Sequence, residues 1–242
     1  MHYTDQGTGN PIVLLPGGSL NSSYLAPLAE ELVAAGHRVV RIDARRPPQD
    51  PDEVVTMHDL AADVAGVMAE LDLPPGWVAG HAFGNRVARA VALDHPDRVS
   101  GVILLAAGGT VQPEPAAQEA LKVAFSDVPD DEAVESMKYM VGDPAEAKSA
   151  WEAIKVARDP SLGAMQRQAV IATPQDEWAR LAPGKTAVII QGSRDQIAPP
   201  ANGEQLAAEN PGQVKLAWID GAGHLFPFLQ PDRTARAIVE NI

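Results

Sequence analysis

Short apolar runs rich in valine and isoleucine, such as Ile12-Val13-Leu14-Leu15 and Val102-Ile103-Leu104-Leu105, alternate along the chain with longer alanine-rich segments whose apolar residues recur at helical spacing. Uninterrupted apolar runs bounded by Gly, Pro and Asp suit strands that are buried on both faces. Their alternation with helices predicts an α/β fold, a mostly parallel doubly wound sheet flanked by helices. Strands are expected over 2–5, 12–15, 38–43, 77–79, 99–105, 186–191 and 214–219, and helices over 23–35, 57–71, 83–94, 200–209 and 231–242. Gly36 follows the first helix where a left-handed C-terminal cap belongs, and Pro231 suits a first helical turn.

The alternation breaks between about residues 110 and 183, a stretch dense in Pro, Asp, Glu and Ala with a helical pattern. A structureless loop of that size is implausible in a compact domain, so the segment is expected to form a helical lid, 110–183, inserted into a core made of 1–109 and 184–242. Its larger side chains, Phe125, Met137, Tyr139, Met140, Trp151, Met165 and Trp178, either face a substrate or pack the helices onto the core.

Composition narrows the class of partner. The 242-residue chain is long enough for one substantial core. Its net charge of -13, from 32 acidic against 19 basic residues, repels phosphate backbones and anionic membrane surfaces. A small-molecule substrate is therefore expected, and neither nucleic acid nor membrane. With no cysteine there is no disulfide framework, thiolate nucleophile or sulfur-ligated metal site, which is compatible with a cytoplasmic location. The first residues show no export leader, and no apolar stretch is long enough to span a bilayer. None of His2, His37, His58, His81 and His95 shows metal-ligand spacing, so no metal is expected.

The chemistry concentrates at Gly80-His81-Ala82-Phe83-Gly84, between an apolar run and a helical segment. Glycines two positions before and after a central residue let strand and helix approach closely, while the central residue is held in strained geometry with its side chain exposed. In the pattern G-x-S-x-G that residue is a serine nucleophile; here it is Ala82. The Phe83 N–H at the start of the helix is placed to donate to a developing oxyanion. A second donor is expected from Pro16-Gly17-Gly18-Ser19, first the N–H of Gly18 and then that of Ser19. Asp195 and His224 follow later strands, in the order acid then base, and complete a Ser-His-acid arrangement except for its serine. The His81 side chain is expected to diverge from that site. Ser19, Phe226 and Trp151 are candidate substrate contacts, and Leu225, Phe226 and Phe228 beside the base favour a hydrophobic substrate.

Together, Leu14-Leu15-Pro16-Gly17-Gly18, Gly80 to Asn85, His95-Pro96-Asp97-Arg98-Val99, Gly192-Ser193-Arg194-Asp195 and Gly221-Ala222-Gly223-His224 resemble the α/β-hydrolase fold superfamily over nearly the whole chain. The resemblance implies a lidded sheet and hydrolysis of esters, lactones, amides or related small molecules, with no cofactor. The sequence departs from the family at Ala82, at Pro16 where a histidine often precedes the oxyanion glycine, and at its start, which resembles the second family strand, so an N-terminal edge strand is expected to be absent. Three accounts of Ala82 remain open. One is a serine hydrolase whose nucleophile has been replaced to leave an inactive form. The second is an enzyme (lyase, isomerase or cofactor-independent oxygenase) in which His224, backed by Asp195, acts as a general base. The third is a non-catalytic small-molecule receptor.

Overall fold

The computed structural model describes residues 1–50 and 52–242. Seven strands form one sheet: β1 (Tyr3–Gln6), β2 (Pro11–Leu15), β3 (Arg38–Ile42), β4 (Gly76–His81), β5 (Val99–Leu105), β6 (Thr186–Gly192) and β7 (Val214–Ile219), in the order β1-β3-β2-β4-β5-β6-β7. Among the described residues, only β1, on the edge, runs antiparallel to its neighbour. The central strands β2, β4 and β5 are buried almost throughout, as the uninterrupted apolar runs require. β4 is longer than the expected 77–79 because pairing with β5 continues through Gly80 and His81, two residues that carry no strand signal of their own.

Helices α1 (Ala26–Ala34), α2 (Met57–Glu70) and α3 (Gly84–Asp94) cover the first half of the sheet. The expected helix at 23–35 begins as a single 3-10 turn capped by the Asn21 side chain, and α1 proper starts just before Pro27, where a missing N–H costs nothing. Helix α2 opens with a capping box, in which Thr56 and Asp59 satisfy each other's free backbone N–H groups. Between β5 and β6 lie α4 (Pro115–Ala124), α5 (Asp130–Met137), α6 (Ala147–Ala157) and α7 (Leu162–Ala172); α8 (Ala201–Glu209), α9 (Phe226–Leu229) and α10 (Pro231–Val239) follow. One apolar cluster on each side of the sheet joins strands to helices, and α4–α7 contribute to both.

The segment after α7 is tied to the core by a charged clamp. His58 on α2 meets Asp94 at the end of α3 (Nδ1 to Oδ2 2.7 Å) and Glu177 beyond α7 (Nε2 to Oε2 2.8 Å). Both ring nitrogens donate only in the imidazolium, and the hydrogen bonds to Asp94 and then Glu177 raise its pKa despite partial burial. A folded-state pKa above the unfolded value of about 6.5 makes the clamp's contribution complete below that value and lost as pH rises through the raised one. Taken from about pH 6 to about pH 9, the unfolding midpoint of the native chain should therefore fall relative to that of His58→Gln. Parallel midpoint-versus-pH profiles for the two proteins would contradict the clamp.

Candidate active site

The chain order reverses direction across the sheet between β2 and β4, and ligands of open α/β sheets gather beyond the carboxyl ends of strands at such a switch. Here the loop after β2 carries Gly17 and Gly18, and the turn after β4 carries Ala82. The loops after β6 and β7 bring Asp195 and His224 to the same rim. A cavity of about 660 Å³ is lined by Gly18, Ser19, Ala82, Phe83 and His224 among others.

The β4–α3 turn is held in place sterically. A β-carbon on Gly80 would lie 2.1 Å from the Gly84 carbonyl carbon and oxygen, and one on Gly84 would lie 2.6 Å from the Leu15 oxygen. No side chain fits at either place. Ala82 between them has φ +49°, left-handed backbone that costs an alanine about 1–2 kcal/mol. Hydrogen bonds from its N–H to Leu105 O (3.0 Å) and to its own carbonyl from Asn85 N–H (3.1 Å) keep it there. Ser19 (φ +57°) and Ala106 (φ +55°) share the left-handed conformation, and both also line the cavity.

His224 Nδ1 lies 2.9 Å from Asp195 Oδ2, with the two residues 6% and 2% exposed. The other carboxylate oxygen of Asp195 accepts the N–H groups of Ile197 (2.9 Å) and Ala198 (2.8 Å), which fixes the carboxylate and so the ring it holds. An acceptor at Nδ1 sets the tautomer with Nε2 unprotonated, ready to take a proton. No described residue bonds His224 Nε2.

His81 does not diverge from the site as expected. Its ring turns beneath the turn, 4.9 Å from the ring of His224, and is 1% exposed. Burial, and then the neighbouring His224, lower its pKa to about 3, so it is neutral. The His224 carbonyl can only accept, so His81 Nε2 donates to it (3.0 Å). His81 Nδ1 then accepts from the Tyr24 hydroxyl (2.7 Å), whose oxygen in turn accepts the Gly17 N–H (2.9 Å). One chain of bonds thus joins the loop after β2, the nucleophile turn and the histidine loop.

Two backbone donors belong to residues that line the cavity. The N–H groups of Gly18 and Phe83 have no acceptor among the described residues, while that of Ser19 is taken by Gln166 Oε1 on α7 (2.8 Å). Ser19 is thereby removed as an oxyanion donor, although it lines the cavity. Trp151 and Phe226 make no part of the cavity wall. Each is 1% exposed, Trp151 on the inward face of α6 with Ala150 and Ile154 and Phe226 in the first turn of α9, and both pack into the core cluster. Of the other large side chains at 110–183, Phe125 and Met140 reach the cavity, whereas Met137, Met165 and Trp178 are core. Gln166, Tyr24, Arg86 and Arg89 are site residues with no motif of their own, though Arg86, one helical turn past Ala82, is placed on the cavity side by spacing alone.

Removing the Tyr24 hydroxyl leaves a buried Gly17 N–H and a buried imidazole nitrogen without partners. Tyr24→Phe is expected to lower unfolding free energy by about 1–3 kcal/mol in chemical denaturation, with the m-value unchanged. A loss within experimental error would remove this network from the account.

The pattern of the α/β-hydrolase family matches residues 12–237. Rhodomycin D methylesterase DnrP of Streptomyces peucetius is 27% identical over 94% of this chain and 89% of its own length. A malate-bound thermophilic esterase from Thermogutta terrifontis superposes with a TM-score of 0.77 at 28% identity, covering 99% of this chain and 91% of that one. The enol-lactonase of Burkholderia xenovorans LB400 shares the fold, with a TM-score of 0.75 at 24% identity over 99% of this chain and 95% of its own. With the sheet order, the strained turn and these matches all in agreement, the chain belongs to the α/β-hydrolase family.

Proposed function

We propose that this site is that of a hydrolase of small esters or lactones working through an acyl-enzyme, and that Ala82 leaves the present chain without its nucleophile. The observation that carries the reading is Ala82 itself, an alanine in strained left-handed backbone between two unoccupied N–H donors and a His–Asp pair. A methyl group gains nothing from that geometry, whereas a hydroxyl there is activated by it.

With serine at position 82, the oxygen attacks the carbonyl carbon as His224 Nε2 takes its proton. Charge developing on the carbonyl oxygen is met by the N–H groups of Gly18 and Phe83. Collapse of the tetrahedral species breaks the bond to the leaving oxygen, which receives the proton from His224. A water molecule then repeats the sequence on the acyl-enzyme and releases the acid. Asp195 holds the imidazole and stabilises its charged form throughout. The helices over 110–183 act as the lid, with Phe125, Met140 and Ile154 supplying apolar wall, which suits the methyl-ester and lactone chemistry in the names of the relatives.

A second reading is favoured by the unoccupied Nε2 of His224: the present chain uses the imidazole as a general base on a bound water or an acidic substrate proton, with no acyl-enzyme. One series separates the two. Ala82→Ser should react with a fluorophosphonate probe and hydrolyse p-nitrophenyl esters at least about a thousandfold faster than the native chain, and both activities should vanish in Ala82→Ser/His224→Ala. A folded Ala82→Ser that neither labels nor turns over overturns the acyl-enzyme reading. Turnover of an unactivated substrate by the native alanine chain, lost in His224→Ala, would establish the general-base reading instead.

A further inference from the structure

In a chain with 32 acidic and 19 basic residues, the cavity wall includes Arg86, Arg89, Arg167 and Lys122 and, among the described residues, no aspartate or glutamate. Two of these cations are ordinary: Lys122 is exposed and paired with Glu119 at 3.0 Å, and Arg167 is exposed. Arg86 and Arg89 are not. Both project from α3, on the face that begins at Ala82.

Arg89 is 6% exposed and donates to the Ala179 carbonyl at 2.7 Å and, at 3.4 Å, to the Asn85 carbonyl. Neither is an anion. Arg86 is half-buried, its guanidinium 5.3 Å from the centre of the Trp178 ring, and that guanidinium makes no hydrogen bond to any described residue. No ion pair engages either arginine among the described residues. Burial, and then the charge of Arg86, bring the pKa of Arg89 down to about 10, so it remains cationic at neutral pH. Buried cations are ordinarily paired, because removing them from water costs several kcal/mol that a counter-charge must offset. Two guanidinium groups on one wall offer a planar array of donors that matches a carboxylate.

We propose that the substrate is a carboxylate-bearing ester or lactone: its acyl carbon sits over Ala82, its apolar chain lies along Phe125, Met140 and Ile154, and its anionic end is held by Arg86 with support from Arg89. This rests on the acyl-transfer reading above and adds the polarity of the substrate to it. The distance along α3 sets the spacing. Arg86 and Arg89 lie four and seven residues beyond Ala82, roughly 6 Å and 10.5 Å at 1.5 Å per residue, so the carboxylate belongs one to two helical turns from the reacting carbonyl.

The test uses the present alanine chain and two probes: the monoanion monoethyl adipate and the neutral diethyl adipate. Calorimetry should show the monoanion binding at least tenfold tighter than the diester, with the preference falling as salt rises. Arg86→Gln should abolish the preference and Arg86→Lys should keep part of it. Equal affinity for the two probes, or a preference that survives Arg86→Gln, overturns the proposal. Because binding is read without a nucleophile, the outcome is independent of the Ala82→Ser series. An anion preference with no labelling of Ala82→Ser would sink the acyl-enzyme reading alone, and labelling with no anion preference would sink this inference alone.

Discussion

The backbone contact between Gly80 and Gly84 is the constraint on which the rest of the site depends. Strand β4 and helix α3 approach so closely that neither position tolerates a β-carbon, and the chain between them can turn only by placing Ala82 at φ +49°. That turn aims residue 82 and the Phe83 N–H out of the sheet, at the carboxyl ends of the central strands. The buried bonds among Gly17, Tyr24, His81 and the His224 carbonyl then fix the neighbouring loops relative to it. The strain of the turn is modest beside the two apolar clusters that hold β2, β4 and β5 in place.

Electrostatics divides the site in two. A neutral imidazole, His81, lies against the ring of His224 and contributes orientation without charge. Arg86 and Arg89 in the cavity wall bring positive charge into a protein whose net charge is -13. A net negative charge around a pocket with arginines in its wall disfavours large polyanions while leaving room for a small anion.

Much of the fold was legible in the sequence because it rests on local pattern. Uninterrupted apolar runs announced β2, β5 and β6, and the mostly parallel sheet followed from alternation with helices. The positions of Ala82, Asp195 and His224 were legible from motif and order. What was not legible depends on direction in space. Trp151 and Phe226 look like pocket aromatics in a one-dimensional reading, yet the faces of α6 and α9 turn them into the core. His81 was misplaced because the pairing of β4 with β5 extends through it, which sends its ring under the turn toward Tyr24. Gln166 comes to Ser19 from 147 positions away, and no pattern in the chain signals that contact.

The most direct test of the site as an acyl-binding machine is a crystal structure of the native alanine chain soaked with an uncleaved ester. The account predicts its carbonyl oxygen within about 3 Å of both the Gly18 and Phe83 N–H groups, with the carbonyl carbon facing the Ala82 β-carbon and His224 Nε2 on the leaving-group side. An ester bound with its carbonyl away from those two donors, or with its leaving group turned from His224, would contradict it.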